Sequence, residues 1–112
     1  MAGHVSFVEI GSKDAAVSRT FFERVFGWSF NPMGDAGGWF QTPSIKMGLH
    51  GSDPQPQLYV FFDVTDLDTA ITLVNASGGK ADPPGQEQPG FGRFSNCQDP
   101  QGIRFGLHQK PS

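Results

Sequence analysis

The chain has 112 residues, which is enough to bury one hydrophobic core and predicts a single domain, 1–112. Its one cysteine excludes an internal disulfide, and eight Lys and Arg against eleven Asp and Glu leave no basic excess for binding nucleic acid. No apolar run is long enough to span a bilayer, and the first residues do not resemble a signal peptide. We therefore expect a cytoplasmic protein that binds neither nucleic acid nor membranes.

The first half of the chain predicts a strand, a helix and three further strands. Residues 4–10 are rich in β-branched and aromatic side chains, as is typical of a strand. Apolar residues recur at helical spacing over 13–26, where Ser12 is the predicted N-cap and Gly27 the predicted end. The apolar positions are Val17, Phe21, Phe22, Val25 and Phe26, and Phe21 is expected in the core. Short strands follow at 28–30, 37–42 and 45–50, and then a linker at 51–57 that carries two prolines and no apolar side chain.

The second half repeats this order. A strand at 58–64 precedes a helix at 66–77, for which Thr65 and Asp68 are the predicted capping pair. Short strands follow at 80–81, 93–97 and 103–108. The Pro- and Gly-rich segment 82–92 predicts a long loop, either a lid over a binding site or a plain surface connection. Asp-Pro-Gln-Gly at 99–102 has the residues of a type I turn and predicts a hairpin.

Two hexapeptides support an internal duplication. Residues 45–50 and 103–108 share four identities at an offset of 58, and Lys46 is replaced by the equally basic Arg104. Apolar and polar residues alternate in both, so the apolar side chains are expected to pack under the helices. The opposite faces would then line the surface that the two sheets enclose.

Taken in order, three segments resemble the vicinal oxygen chelate superfamily, which contains glyoxalase I, bleomycin-resistance proteins and extradiol dioxygenases. They are FVEIGSKDAAVSRTFFERVFGW, VTDLDTAITLVNASGGK and DPQGIRFGLHQ. The resemblance implies an α+β fold of two βαβββ modules, about 4–51 and about 58–109. Their mixed sheets would form an open, curled barrel with the helices outside, a ligand site in the concavity and, in many members, a homodimer.

The metal-dependent members of that superfamily place His, Gln or Glu at four strand positions facing the cavity. Counting back from Asp14 and Asp66, the first-strand positions correspond to Phe7 and Tyr59, and the last-strand positions to Gly48 and Gly106. Three of these residues have no side chain that can bind a metal, and Tyr is an uncommon ligand. We therefore predict that this chain has no metal ligands at these positions and needs no cofactor.

Alternative donors lie two residues further along the same strands. His50, His108 and Glu9 form a conceivable displaced set that would suit nickel, zinc or manganese. Both histidines are predicted at strand ends, where an exposed side chain is the commoner case. A metal site at these displaced positions therefore remains an alternative to the hypothesis of a site without metal.

Without a metal, the predicted concave face has the composition of a small-molecule pocket. Aromatic rings would supply flat apolar contacts, cations and imidazoles would orient an anionic or polar group, and Gly48 and Gly106 would leave room for the ligand. Glu9 is the candidate general base, because a carboxylate among aromatic rings is harder to ionise. The alternative is an idle Glu9 paired with a cation. The predicted ligand-binding residues are Phe7, Glu9, Lys46, His50, Tyr59, Phe61, Arg104 and His108.

Three functions remain open at this point. The first is a glyoxalase- or bleomycin-resistance-like protein that binds a small aromatic or anionic molecule without the usual metal. The second is a metal-dependent lyase or isomerase of the glyoxalase type. The third is an accessory subunit whose concave face binds a partner chain.

Overall fold

The computed structural model describes residues 2–34 and 37–111, and it confirms the predicted order of elements in both halves. Neither helix in those ranges is long and apolar enough to cross a membrane. The chain divides into two compact units: a first unit, Phe7–Tyr59, and a second unit made of the residues before Phe7 and those from Val60 onward. The elements are β1 (Val5–Gly11), α1 (Ala15–Phe26), β2 (Ser29–Met33), β3 (Gly37–Gln41), β4 (Lys46–His50), β5 (Gln57–Asp63), α2 (Leu67–Ala76), β6 (Lys80–Ala81), β7 (Arg93–Gln98) and β8 (Arg104–Gln109).

In the first unit the strands follow the order β2-β3-β4-β1 and form a mixed sheet. Strand β1 runs parallel to β4, whereas β3 is antiparallel to both β2 and β4. The core lies between this sheet and α1, where Ile10, Phe40 and Leu49 are buried and Phe22 packs against them. The predicted apolar face of β4 therefore does pack on the helix side.

Helix α1 corrects two sequence predictions. Asp14, not Ser12, is its N-cap, and the Asp14 carboxylate accepts hydrogen bonds from the backbone N–H groups of Ala16 and Val17. Ser12 is buried and donates its hydroxyl proton to the backbone carbonyl of His50 at 2.8 Å. Phe21 was predicted in the core but is 58% exposed, because the apolar residues of α1 cover more of its circumference than one sheet can bury.

The second unit repeats the arrangement with the order β5-β8-β7-β6. Here β5 runs parallel to β8, and the remaining pairs are antiparallel. Its core, on the α2 side of the sheet, contains Leu67, Cys97 and Leu107. Asp66 is the N-cap of α2 in place of the predicted pair Thr65 and Asp68, since its carboxylate accepts from Thr69 N–H.

The connections are partly as predicted. The hairpin turn before β8 is confirmed, with Gly102 N–H donating to the Asp99 carbonyl at 3.0 Å. The segment predicted as a linker, 51–57, is wrong in two respects. Gln57 already belongs to β5, and Asp53 is buried. That buried carboxylate brings the segment into the site described below.

Candidate functional site

The sheet of the first unit has a polar and aromatic surface on the side away from α1, which we call the first-unit face. Glu9, Gly48 and Trp39 lie side by side on β1, β4 and β3. The ammonium group of Lys46 lies 4.8 Å from the centre of the Trp39 ring, a cation–π contact. Phe7 precedes Glu9 on the same side of β1 by strand alternation. Thus the face combines flat rings with groups of both charges.

Gly48 leaves room on this face, but the space is used by the protein itself. A Cβ atom at Gly48 would overlap the Glu9 carboxylate and lie 3.0 Å from Cζ of Phe7. The expectation that this glycine leaves space for a ligand is therefore wrong. Its absent side chain lets Glu9 lie flat across β4, with one carboxylate oxygen, Oε1, above the glycine.

The imidazole of His50 lies between two carboxylates. His50 Nδ1 is 2.7 Å from Glu9 Oε2, and His50 Nε2 is 3.2 Å from Asp53 Oδ2. The hydroxyl of Tyr59 donates to the same Asp53 oxygen at 3.0 Å. Because an ionised carboxylate only accepts hydrogen bonds, both ring nitrogens of His50 must donate when both partners are ionised. The arrangement therefore favours an imidazolium cation at position 50.

Glu9, His50, Asp53 and Tyr59 form a hydrogen-bonded series, and the pKa shifts within it follow from the same contacts. Burial raises the pKa of Glu9 above its ordinary value, and the hydrogen bond and charge of His50 only partly offset the effect. Burial lowers the pKa of His50, but the hydrogen bonds and charges of Glu9 and Asp53 outweigh it, so that the pKa of His50 is raised. Glu9 is thus harder to ionise, as predicted from the sequence. Its partner is His50, however, and not Lys46 or Arg104.

Asp53 hydrogen-bonds to both His50 and Tyr59 in this series, and the sequence analysis missed it. The backbone of Ser52 has φ of 61°, a left-handed conformation that reverses the chain and directs Asp53 toward the sheet. Asp53 N–H donates to the Ser12 carbonyl, and Gln55 N–H donates to the Asp53 carboxylate at 2.9 Å. This hydrogen bond from Gln55 is the main cause that lowers the pKa of Asp53, so the carboxylate stays ionised.

His108 departs most from its prediction as an accessible strand-end residue. It lies on the side of β8 away from α2, as expected, but it is only 6% exposed. Its Nδ1 is 2.8 Å from the Ser6 hydroxyl, and its Nε2 is hydrogen-bonded to the carbonyl of Phe91 in the long loop. The ring stacks on Phe94, with centroids 4.5 Å apart. Both nitrogens therefore serve the second unit's own structure.

The remaining predicted residues are distributed between the two units. Phe61 is buried, and its ring fills the space that a side chain at Gly106 would need, so this glycine leaves no room for a ligand either. Tyr59 is a member of the Asp53 chain, and Arg104 is exposed. Of the predicted site residues, the structure brings Phe7, Glu9, Lys46, His50 and Tyr59 together in the first unit.

The donor atoms do not fit the metal site that the resemblance implies. In the described ranges no three His, Cys, Asp or Glu residues are arranged to hold a metal ion. In the displaced set, His50 directs both nitrogens at carboxylates and His108 hydrogen-bonds through both of its nitrogens, so neither offers a free lone pair to a metal.

Comparison by sequence finds distant relatives, although no family model matches the chain. CFP32 of Mycobacterium tuberculosis, named provisionally as a glyoxylase, is 24% identical over 119 residues, which cover 96% of this chain and 46% of that protein. The anthracycline biosynthesis protein DnrV of Streptomyces peucetius is 26% identical over 130 residues, covering 96% and 47%. The chain thus spans about half the length of the curated relatives it matches.

Comparison by structure finds the same fold in enzymes of known structure. Methylmalonyl-CoA epimerase from Mycobacterium tuberculosis superposes with a TM-score of 0.71 and 15% identity over 98% of this chain and 89% of the other. Homoprotocatechuate 2,3-dioxygenase from Arthrobacter globiformis gives a TM-score of 0.78 and 18% identity over 98% of this chain and 37% of the other. At these identities the likeness concerns the fold. The relative that is provisionally named a glyoxylase and the shared fold of these structural neighbours point to the vicinal oxygen chelate superfamily, as the sequence resemblance does.

Proposed function

We propose that this protein binds a small aromatic molecule carrying an anionic group on the first-unit face, without a metal ion. The observation that carries the proposal is the row of Trp39, Gly48 and Glu9 with Lys46 above the indole ring. A flat ring stacks favourably beside Trp39, which is partly exposed, and Lys46 supplies a positive charge for a carboxylate or phenolate. Phe7 is buried and supports this face from beneath. Small-molecule sites generally combine apolar walls with a few such polar groups.

The relatives support the class of ligand. DnrV is named for anthracycline biosynthesis, and an anthracycline contains fused aromatic rings that carry oxygen substituents. The two structural neighbours named above show that this fold occurs in enzymes for quite different molecules, so the ligand has to be argued from the residues on the face. Those residues favour a planar ring over an extended polar chain.

The metal-free part of the proposal is supported by the donor atoms. The positions that correspond to the family's ligands carry Phe7, Gly48, Tyr59 and Gly106, and the nearest imidazoles are engaged in hydrogen bonds. A bound metal would have to displace at least one of these contacts. The competing candidate, a metal-dependent glyoxalase-like lyase or isomerase, is favoured only by the name of CFP32.

Calorimetric titration with 4-acetylbenzoate, a planar aromatic carboxylate, tests the binding proposal. We expect saturable binding by the native chain, and binding about tenfold weaker for Lys46→Ala, because a hydrogen bond to a charged group is worth about 1.5–3 kcal/mol. The matched control is Lys80→Ala, an exposed lysine on β6 of the second unit. No binding to the native chain, or equal loss in both variants, would rule out the proposed site for this class of ligand.

A further inference from the structure

The lysine on the first-unit face lies on the ring that an aromatic ligand would use. The Lys46 ammonium is 4.8 Å from the centre of the Trp39 indole, and both residues are only partly exposed. Lysine side chains are commonly exposed, with the ammonium group in water. Here the ammonium covers one side of the indole, so an aromatic molecule cannot stack on that side while Lys46 stays in place.

We propose that Lys46 is a displaceable cover on Trp39 that selects anionic aromatic molecules over neutral ones of the same shape. The proposal rests on the proposed function, because it concerns the molecule that binds on the first-unit face. It adds a physical basis for selectivity: the ligand must offer Lys46 an anion in exchange for the indole ring.

The backbone around both residues is fixed, so that only the lysine side chain has to move. Trp39 lies in β3, which is paired with a strand on each side. Lys46 is the first residue of β4 and follows a turn closed by the buried Thr42, whose hydroxyl donates to the Ile45 carbonyl at 2.6 Å. Rotation about the bonds of the flexible lysine side chain is therefore sufficient to uncover the ring.

The relative strength of two contacts makes the exchange favourable for anions. A cation–π contact at a partly exposed ring is weaker than a hydrogen bond between an ammonium group and a carboxylate. An anionic ligand therefore gains more from Lys46 than the protein loses when the ammonium leaves Trp39. A neutral ring must displace the same ammonium and has no charge to offer it, so this ring binds more weakly than its stacking alone would allow.

The second unit has the cation of the repeat but a different residue beside it. Arg104, the repeat partner of Lys46, is exposed. Strand pairing puts Asn96 at the position that corresponds to Trp39 in the first unit. Among the described residues, the two units thus share the cation, whereas the indole at this position is present in the first unit only. We accordingly expect the selection of anionic rings from the first unit alone.

Proton NMR of the native chain tests the cover without any ligand. The ring current of Trp39 should shift the ε-methylene protons of Lys46 upfield, and the variant Lys46→Arg identifies their signal. The protons of Lys80, an exposed lysine on β6, should have ordinary shifts. Trp39→Leu should abolish the upfield shift. An ordinary signal for Lys46 in the native chain would overturn the proposal.

Calorimetric titration with 4-acetylbenzoate and with its uncharged counterpart 4-acetylbenzamide tests the selectivity. Lys46→Ala should bind the benzoate about tenfold more weakly, as above, but the benzamide about two- to fivefold more tightly, because the ring is uncovered. Lys46→Arg, whose guanidinium also stacks on aromatic rings, should keep the native preference for the benzoate. Lys80→Ala is the matched control and should leave both affinities unchanged.

The outcomes separate the two proposals. If the native chain binds the benzoate and Lys46→Ala weakens that binding without tightening the binding of the benzamide, Lys46 is a simple anion contact. The cover is then wrong, and the binding site stands. If the native chain does not bind the benzoate, both proposals fall for this class of ligand.

Discussion

At the scale of single residues, the environment of His50 sets a pH dependence of stability. The pKa of His50 is raised in the folded chain, above an ordinary value of 6.5, because two carboxylates accept its N–H groups despite the opposing effect of burial. A raised pKa means that the folded chain holds this proton more tightly than the unfolded chain. The resulting stabilisation is complete below pH about 6.5 and is lost as the pH rises through the folded pKa.

This sign predicts the behaviour of His50→Gln. Urea unfolding between pH about 6 and about 9 should show a difference between the native chain and the variant that is largest at the lower pH and shrinks as the pH rises. The Lys46→Ala variant, which leaves the hydrogen-bonded chain intact, should show a difference that does not follow this pH dependence. A constant difference between native chain and His50→Gln would contradict the ion-pair assignment.

His108 is a structural residue at this scale, in contrast to its repeat partner His50. We expect His108→Ala to lower the free energy of unfolding by about 1–3 kcal/mol, because the variant removes a buried ring and leaves the part-buried partners of both ring nitrogens unsatisfied. Chemical denaturation measures this change. Ser6→Ala, which removes one of the two contacts, should cost less. An unchanged unfolding midpoint in His108→Ala would show that the ring is not part of the packed interior.

At the scale of elements, an apolar residue between a helix and its sheet should matter more for stability than one on the outer side of a helix. Leu107 is buried against α2, so Leu107→Ala should cost about 2–5 kcal/mol through the cavity it leaves. Phe21 projects from α1 toward solvent, so Phe21→Ala should change stability by only about 0.5 kcal/mol. Thermal or urea unfolding of both variants checks the comparison, and similar losses would mean that Phe21 is covered in the folded protein.

At the scale of the whole molecule, metal affinity separates the two candidate functions. Native mass spectrometry before and after addition of nickel or zinc should show no stoichiometric metal, because the imidazoles of His50 and His108 already direct their nitrogens at other partners. The same spectra test the homodimer that the resemblance implies. One metal per chain that is lost in His50→Ala would favour the metal-dependent lyase or isomerase and overturn the metal-free binding proposal.

Local patterns in the sequence were sufficient to predict the order of the elements and the face of β4 and β8 that packs against a helix. The repeat of 45–50 at 103–108 placed Leu49 and Leu107 correctly in two separate cores, because strand alternation is a property of neighbouring residues. The raised pKa of Glu9 was also predictable, since it follows from burial beside aromatic rings. The helix caps were displaced by one or two residues.

Only the tertiary structure decided which polar groups meet. His50 and His108 occupy equivalent positions in the repeat, yet His50 lies between Glu9 and Asp53 and His108 between Ser6 and Phe91. Asp53 follows His50 by only three residues, but the other partners come from distant parts of the chain, which no local spacing records. The sequence by itself determined the elements and their apolar faces because these depend on short-range periodicity, whereas the site depends on contacts such as that between Glu9 and His50, which are 41 positions apart.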